Sequence, residues 1–567
     1  MDAKAKRIDQ LLGALSPEEK AGQLLAYGFT GTFIEPALEE IIAKRNIGGI
    51  RTSPYFRKFI RYLPDGAPGI KNVVRPLHAG EKMWDEGSTP PQTLRASEYA
   101  ERLNRLRRVA LDRPHGIPVH TVMDYEGSGG NFVPPGMITT GSPMGQAATG
   151  DPDLVRRLWK GIAQQLKAIG IDWINAPVVD VNTNRANPEI STRAFGEDPE
   201  TVIKFARAAL AGIREGGVIG TLKHYPGRGD AIDDGHFGIV SIDCDRDTME
   251  QIHLEPYRVL CGENIVPAIM TAHSLYPSLD PSGKLATISG RIVKEILRDE
   301  YKWDGVITTD SLTMGALMAQ HSAAEAAVLA IEAGSDIVLL KDENALRFEV
   351  HDAVTEAIRS GRLSEERIAE SLRRIWSLKW DYGLFEDGGI VEPETLDEFL
   401  MGHEFRAVAR EGAAKCIQLM RDRDHILPLK PDQRVLVVDR AHSIAMWQND
   451  SWTYPGMFWE FKLQHSRNVD YVDSKPKPID QPCSVVEEML DRIDVLVVTA
   501  RFTRGQKADT KPFVTELAGL GKPMVLVTNN PYELIVPEEA GTVVCSYSLL
   551  HDVAEATAAY LYGTQQT

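Results

Sequence analysis

Gly217-Val218-Ile219-Gly220-Thr221-Leu222 runs straight into Lys223-His224-Tyr225-Pro226-Gly227-Arg228-Gly229-Asp230, and Asp234-Gly235-His236 follows four residues later. The uncharged opening reads as a buried parallel strand. Pro226, Gly227 and Gly229 then force an irregular loop that carries cations, imidazoles and carboxylates together. A carboxylate two residues before an imidazole orients the ring and raises its proton affinity, which suits Asp234 and His236 to proton transfer. A second carboxylate, Asp310, ends the apolar run that starts at Gly305-Val306-Ile307.

Working outward, seven more apolar runs recur near Leu24 to Phe29, Ile47 to Arg51, Pro118 to Met123, Asp172 to Val179, Val266 to Ala272, Gly305 to Thr309 and Asp336 to Leu340. Stretches of helical periodicity follow, for instance Pro152 to Ala168, Pro199 to Arg214, Thr248 to Cys261 and Ala323 to Ala333. Asp151-Pro152 and Asp198-Pro199 supply a cap and a first-turn proline. Strand–helix alternation repeated eight times predicts an α/β fold, a (β/α)8 TIM-like barrel, with chemistry at the C-terminal strand ends. Asp124, Asp180, Lys223, His224, His273 and Asp310 all fall at such ends. The connection between Thr52 and Ala96 is long and proline-rich, so it is expected to rise on that face and wall the leaving-group side, or to serve as a surface excursion.

The pattern breaks after Trp380, at Asp381-Tyr382-Gly383-Leu384-Phe385. The expected division is a barrel over residues 1–385, a linker over 386–403 and a smaller α/β sandwich domain over 404–567. That second unit is predicted to open on a helix from Glu404 to Met420. Its short, β-branched strands are expected at Arg434 to Asp439, Val495 to Ala500, Met524 to Asn529 and Thr542 to Tyr547.

The chain has 567 residues, a formal net charge of −17, 43% hydrophobic and 25% charged residues. That is an ordinary globular composition, and the acidic balance argues against nucleic-acid or anionic-membrane partners. Five scattered cysteines without a C-x-x-C pair read as isolated thiols in a reducing compartment. The N-terminus reads as an amphipathic helix and not as a signal peptide, and no apolar stretch is long enough to span a bilayer. A cytoplasmic location is expected. Oligomeric state is not legible.

The two chemistry-bearing segments together resemble glycoside hydrolase family 3, in its β-N-acetylglucosaminidase branch. That branch carries Lys-His-Phe-Pro-Gly-His-Gly, a spacer and Asp-Ser-His; the frame is kept here, with Tyr225, Arg228 and Gly235 as departures. Thr309 to Met314 matches its Thr-Asp-Ser-Leu-x-Met. Asp124-Tyr125-Glu126-Gly127, Ala176 to Asp180, Arg193 to Pro199 and Met270 to His273 follow in family order. After Gly127 the chain reads Ser128-Gly129-Gly130-Asn131, where the family usually places Gly, Arg and Val. A substrate-facing arginine is therefore in doubt, and with it recognition of muropeptides.

The resemblance implies a retaining exo-β-N-acetylglucosaminidase that needs no cofactor and no metal. Retention requires a nucleophile on one face of the anomeric carbon and a proton donor at the leaving oxygen. Asp310 is the expected nucleophile, although Asp then Ser before a helix is also ordinary capping chemistry. His236 is the expected acid/base, oriented by Asp234, with Asp233 as the other available partner. An imidazole near its usual ~6.5 would be half spent at neutral pH, and a neighbouring carboxylate raises it.

Asp124, Arg193, Lys223 and His224 resemble the family's grip on sugar hydroxyls. Asp180 reads either as part of that grip or as a partner for Arg193. Met270 and His273 are expected in the pocket wall, Met270 alternatively in the core. Arg228 would add a cation to the loop. A neutral imidazole does not repel an anion, so inorganic phosphate could replace water and make the enzyme a phosphorylase.

The same residues are open to three other readings. His224, Asp230, Asp233, Asp234 and His236 could form a Zn2+ or Mn2+ site, but Lys223 and Arg228 oppose a cation there. A non-catalytic sugar-binding protein would be expected to lack the nucleophile or proton donor. The family's β-glucosidase and β-xylosidase branch lacks the Asp-x-His loop.

Overall fold

The computed structural model describes residues 3–30, 34–53, 94–127, 134, 137–235, 238–341, 343–402, 404–439, 468–473, 480–500, 510–532, 536–548 and 551–564. The long connection over 52–96 lies largely outside these, as do Ser128 to Asn131 and His236.

Each of the eight apolar runs becomes a parallel strand. In chain order they are β1 (Leu25–Thr30), β2 (Gly49–Ser53), β3 (His120–Met123), β4 (Trp173–Ile174) and β5 (Thr221–Tyr225). After a two-residue strand β6 (Val240–Ser241) come β7 (Ala268–Thr271), a second short strand β8 (Ser274–Leu275), β9 (Val306–Ser311) and β10 (Ile337–Leu340). Among the described residues the large sheet has eight strands in the order β4-β3-β2-β1-β10-β9-β7-β5. Parallel bridges Trp173–Ile219 and Val178–Lys223 bring β4 beside β5 and complete the ring. Inside it, Ala26, Val122, Trp173, Ile219, Ala268, Met270, Val306 and Leu339 form part of one buried apolar cluster. The barrel is thus a packed core, with room for chemistry only at its mouth.

Local signals explain the surrounding helices. Asp151 and Asp198 accept from the Leu154 and Thr201 amides at 3.0 and 2.8 Å, starting Pro152–Ala168 and Pro199–Glu215. Ala323–Ala333 stops at Gly334, whose φ is +124°. The helix expected over Thr248 to Cys261 is interrupted. A π-turn covers Met249–His253 and a new helix covers Glu255–Gly262, because Pro256 has no amide hydrogen to continue the ladder.

The small strands β6 and β8 pair in parallel, tying the loop after β5 to the loop after β7.

A second α/β unit follows. Among the described residues its sheet comprises β11 (Gln418–Asp422), β12 (Val435–Asp439), β13 (Val469–Asp473), β14 (Val495–Ala500), β15 (Met524–Thr528) and β16 (Thr542–Cys545), ordered β11-β16-β15-β14-β12-β13. All neighbours are parallel except β11, which runs antiparallel on the β16 edge. The helix expected to reach Met420 ends at Cys416, since Ile417 turns extended and the next five residues join the sheet. The connection before it is docked: Ser97 Oγ donates to Asp397 at 3.0 Å and Asn104 Nδ2 to the Val391 carbonyl at 2.8 Å.

Small residues let the two units approach. A Cβ at Gly161 would lie 2.1 Å from the Phe405 ring, and one at Gly145 would lie 2.5 Å from Tyr547 Cβ. Gly161→Ala should therefore lower the unfolding free energy by about 1–3 kcal/mol through overpacking. Gly13→Ala, in a helix where the added methyl meets nothing within 4 Å, should raise it by up to about 1 kcal/mol. Urea midpoints read the two signs, and equal upward shifts would show that Phe405 yields freely.

Candidate active site

Side chains at and beyond the C-terminal ends of the barrel strands gather into hydrogen-bonded groups joined by the charge of Lys223, which acts on both Asp124 and Glu126. Arg51, on β2, donates through Nε to Asp124 Oδ2 at 3.0 Å, and Asn175 Nδ2 donates to Asp124 Oδ1 at 2.7 Å. Glu126 is shared by two cations. Arg193 grips it through Nε at 2.6 Å and Nη2 at 2.8 Å, and Lys223 Nζ reaches Oε1 at 2.5 Å. Arg193 Nη1 also donates to the Glu189 carbonyl at 3.0 Å.

Asp180, fully buried, organises the start of the β5 loop. Its Oδ2 lies 2.8 Å from His224 Nδ1 and accepts from the His224 amide at 3.2 Å; its Oδ1 accepts from the Arg228 amide at 2.6 Å. The carboxylate accepts, so Nδ1 carries the proton and Nε2 is left facing Arg193 Nη2 at 3.4 Å. Asp180 therefore partners His224, while the partner of Arg193 is Glu126.

Burial by itself would raise the Asp124 carboxyl. The opposed charges of Arg51, Lys223 and Lys341, with the Asn175 hydrogen bond, outweigh it and hold the group well below the usual carboxylate range. Glu126 behaves alike: burial raises it, but Arg193 and Lys223 hold it far lower. Both stay ionised through the mildly acidic range.

Asp310 sits within β9, half-buried, and its Oδ1 accepts from the Ser311 amide at 2.7 Å. The capping alternative falls away, because the next helix is Gly315–Met318 and Met314 stands at its cap. His273 is buried between the Thr287 hydroxyl, 2.7 Å from Nδ1, and the Ser311 carbonyl, 3.0 Å from Nε2. Burial pushes its pKa down, with the Asp310 charge opposing. The ring thus braces the residue after Asp310. Met270 packs in the apolar cluster inside the barrel.

Arg228 is fully buried, its Nη1 donating to Glu189 Oε1 at 3.1 Å. A Cβ at Gly235 would lie 2.4 Å from Arg228 Nη2. The departures at 228 and 235 are therefore one packing event, in which the longer side chain takes the space that a side chain at 235 would need. Asp234 is half-buried in the turn above it. His236 lies outside the described residues.

Arg51, Glu126, Asn175 and Lys341 are members of the network that sequence reasoning did not single out. Arg51 carried the same signal as Asp124, a charge closing an apolar run. Asn175 had none, being one polar residue inside such a run.

Glu126 and Asp124 have folded-state pKa values below their unfolded ones, so their stabilisation is complete above about pH 5 and is lost as pH falls through and below the ordinary carboxylate range. Glu126→Gln should cost about 3–5 kcal/mol at neutral pH by stranding two cations. It should also make the decline of melting temperature between pH 7 and pH 3 shallower than in the wild type. An unchanged slope would mean that Glu126 is not held ionised by its partners.

Residues 17–378 match the family model described as the glycosyl hydrolase family 3 N terminal domain. The chain is 31% identical over 306 residues to "Beta-hexosaminidase A" of Pseudoalteromonas piscicida, covering 51% of this chain and 50% of that protein. It is 29% identical over 379 residues to "Beta-N-acetylglucosaminidase/beta-glucosidase" of Cellulomonas fimi, covering 65% and 64%. The chain thus spans half to two thirds of the length of these relatives. The solved structure of a glycoside hydrolase family 3 β-N-acetylglucosaminidase from Paenibacillus sp. str. FPU-7 superposes with a TM-score of 0.82 at 25% identity, covering 98% of each chain. With the family model spanning well over half of its residues, the chain belongs to glycosyl hydrolase family 3.

Proposed function

We propose that this chain is a retaining exo-β-N-acetylglucosaminidase that acts by double displacement. The observation that carries the reading is Asp310: a half-buried carboxylate in a barrel strand, not spent on a helix cap, at the same mouth as a charged network suited to sugar hydroxyls. Asp310 attacks the anomeric carbon while His236, oriented by Asp234, protonates the leaving oxygen. His236 then takes the proton from the incoming water. Asp124, Arg193, Lys223 and His224 hold the sugar through charge-assisted hydrogen bonds.

Relatives named β-hexosaminidase and β-N-acetylglucosaminidase support the N-acetyl sugar. The second half of the Cellulomonas name, β-glucosidase, favours an alternative with broader sugar choice. Phosphate as acceptor rests on the uncharged state of an imidazole base. Arg228 adds little to it, since Glu189 already balances its charge. Residues 1–385 are read as the catalytic unit, 386–403 as the connection and 404–567 as the second unit. A reducing, cytoplasmic setting agrees with four described cysteines that stand without a disulfide. Among the described residues no helix is long and apolar enough to cross a membrane.

Release of p-nitrophenol from the β-N-acetylglucosaminide and the β-glucoside, with and without phosphate, tests this reading. Asp310→Asn should lower kcat by about 10^4 or more, as expected when a nucleophile is removed. Near-normal turnover of that variant would overturn the assignment. His236→Ala should spare the activated p-nitrophenyl substrate far more than a disaccharide, whose leaving oxygen needs the proton. Sugar 1-phosphate appearing with added phosphate would name a phosphorylase.

A further inference from the structure

The segment 182–193 between β4 and β5 faces two ways. Toward the barrel mouth, Asn187 Nδ2 donates to the Arg228 and Gly229 carbonyls at 2.9 and 3.1 Å, Glu189 holds Arg228, and Arg193 clamps Glu126. Away from it, the segment meets the second unit. Asn182 Nδ2 donates to Tyr532 Oη at 3.0 Å, and Asn530 Nδ2 donates to Ser191 Oγ at 2.6 Å. Asn182 Oδ1 in turn accepts from the Ser191 amide at 3.1 Å. All four residues are buried.

Ser191 has a φ of +45°, in the left-handed region that a residue with a Cβ enters only at a cost. It opens the turn Ser191–Arg193 that delivers the Arg193 side chain. Something must hold it there, and two hydrogen bonds do, one from Asn530 directly and one through the Asn182 that Tyr532 fixes. Asn530 is itself preset. Its amide donates to Thr528 Oγ1 at 3.1 Å, its carbonyl accepts from that hydroxyl at 3.0 Å, and its Oδ1 accepts from the Tyr532 amide at 2.9 Å. Only Nδ2 is left to point at Ser191.

We infer that Asn530 and Tyr532, at the end of β15 in the second unit, are positioning residues for the barrel site. They hold Ser191 in its left-handed conformation and so seat Arg193 against Glu126. The second unit takes part in sugar binding through this contact, without itself touching the sugar. The inference rests on the reading of the barrel mouth as the sugar site.

The full chain tests it through steady-state kinetics on the p-nitrophenyl β-N-acetylglucosaminide and amide hydrogen exchange over residues 190–194. Asn530→Ala is expected to lower kcat/KM tenfold or more, mainly through KM, and to speed exchange in that segment. Ser191→Gly added to Asn530→Ala should recover most of both losses, since glycine adopts a positive φ without help. A contact that merely glues the units together would not be rescued, because the double variant still lacks the hydrogen bond. Tyr532→Phe, which removes one acceptor, should shift both readouts the same way by less, and it serves if Asn530→Ala folds poorly. Wild-type kcat/KM in Asn530→Ala, or a loss that Ser191→Gly leaves in place, overturns the inference. Exchange is read without turnover, so a failure of the Asp310 assignment and a failure of this clamp are told apart.

Discussion

Glu126 is a carboxylate with almost no access to water, and Arg193 from the turn Ser191–Arg193 and Lys223 from β5 converge on it. None of the three can change alone. Removing water from an ion costs several kcal/mol, and only close opposite charges and hydrogen bonds offset that cost. The mouth is therefore built as a set of mutual obligations: Asp124 with Arg51, Glu126 with Arg193 and Lys223, Asp180 with His224, and Arg228 with Glu189. Such pairs hold side chains at fixed angles before any ligand arrives. For the proposed recognition of a ring of hydroxyls, that preorganisation matters more than the small net stability the pairs supply.

Much of this was legible because the physics behind it is local. Buried parallel strands must be apolar on both faces, so β1 to β5, β7, β9 and β10 announced themselves as apolar runs, and their ends named Asp124, Lys223, His224 and Asp310. Capped helices beginning at Asp151 and Asp198 were equally readable. What escaped depends on contacts distant in sequence. β11 looks like the end of a helix, since nothing in Gln418-Leu419-Met420 reveals that the β16 edge is waiting for it. The pairing of Asp180 with His224 and of Arg193 with Glu126, where a single Asp180–Arg193 pair was also readable, is decided by which loop folds over which. The interrupted helix at Met249–His253 has its signal in Pro256, whose missing amide breaks a ladder that the surrounding periodicity alone would continue.

The second unit is set firmly against the barrel. Phe405 fills the space over Gly161, Tyr547 covers Gly145, and the connecting residues lie along the helix Ala96–Leu111 with side chains bonded to it. Small residues on the barrel side let two closely packed surfaces meet without a gap. The inferred clamp on Ser191 requires such a seat, since a hydrogen bond of 2.6 Å across a boundary does not survive sliding of one part over the other.

The two-residue ribbon of β6 and β8 has a mechanical meaning. Ser274 follows His273 directly, His273 reaches the Ser311 carbonyl, and Ser311 is the neighbour of Asp310. On the other side, β6 begins a few residues after the Asp234 turn. The Asp234 turn and the proposed nucleophile are thus joined in series by one ribbon, so the distance between these two carboxylates is held by β6 and β8 together and not by either loop alone.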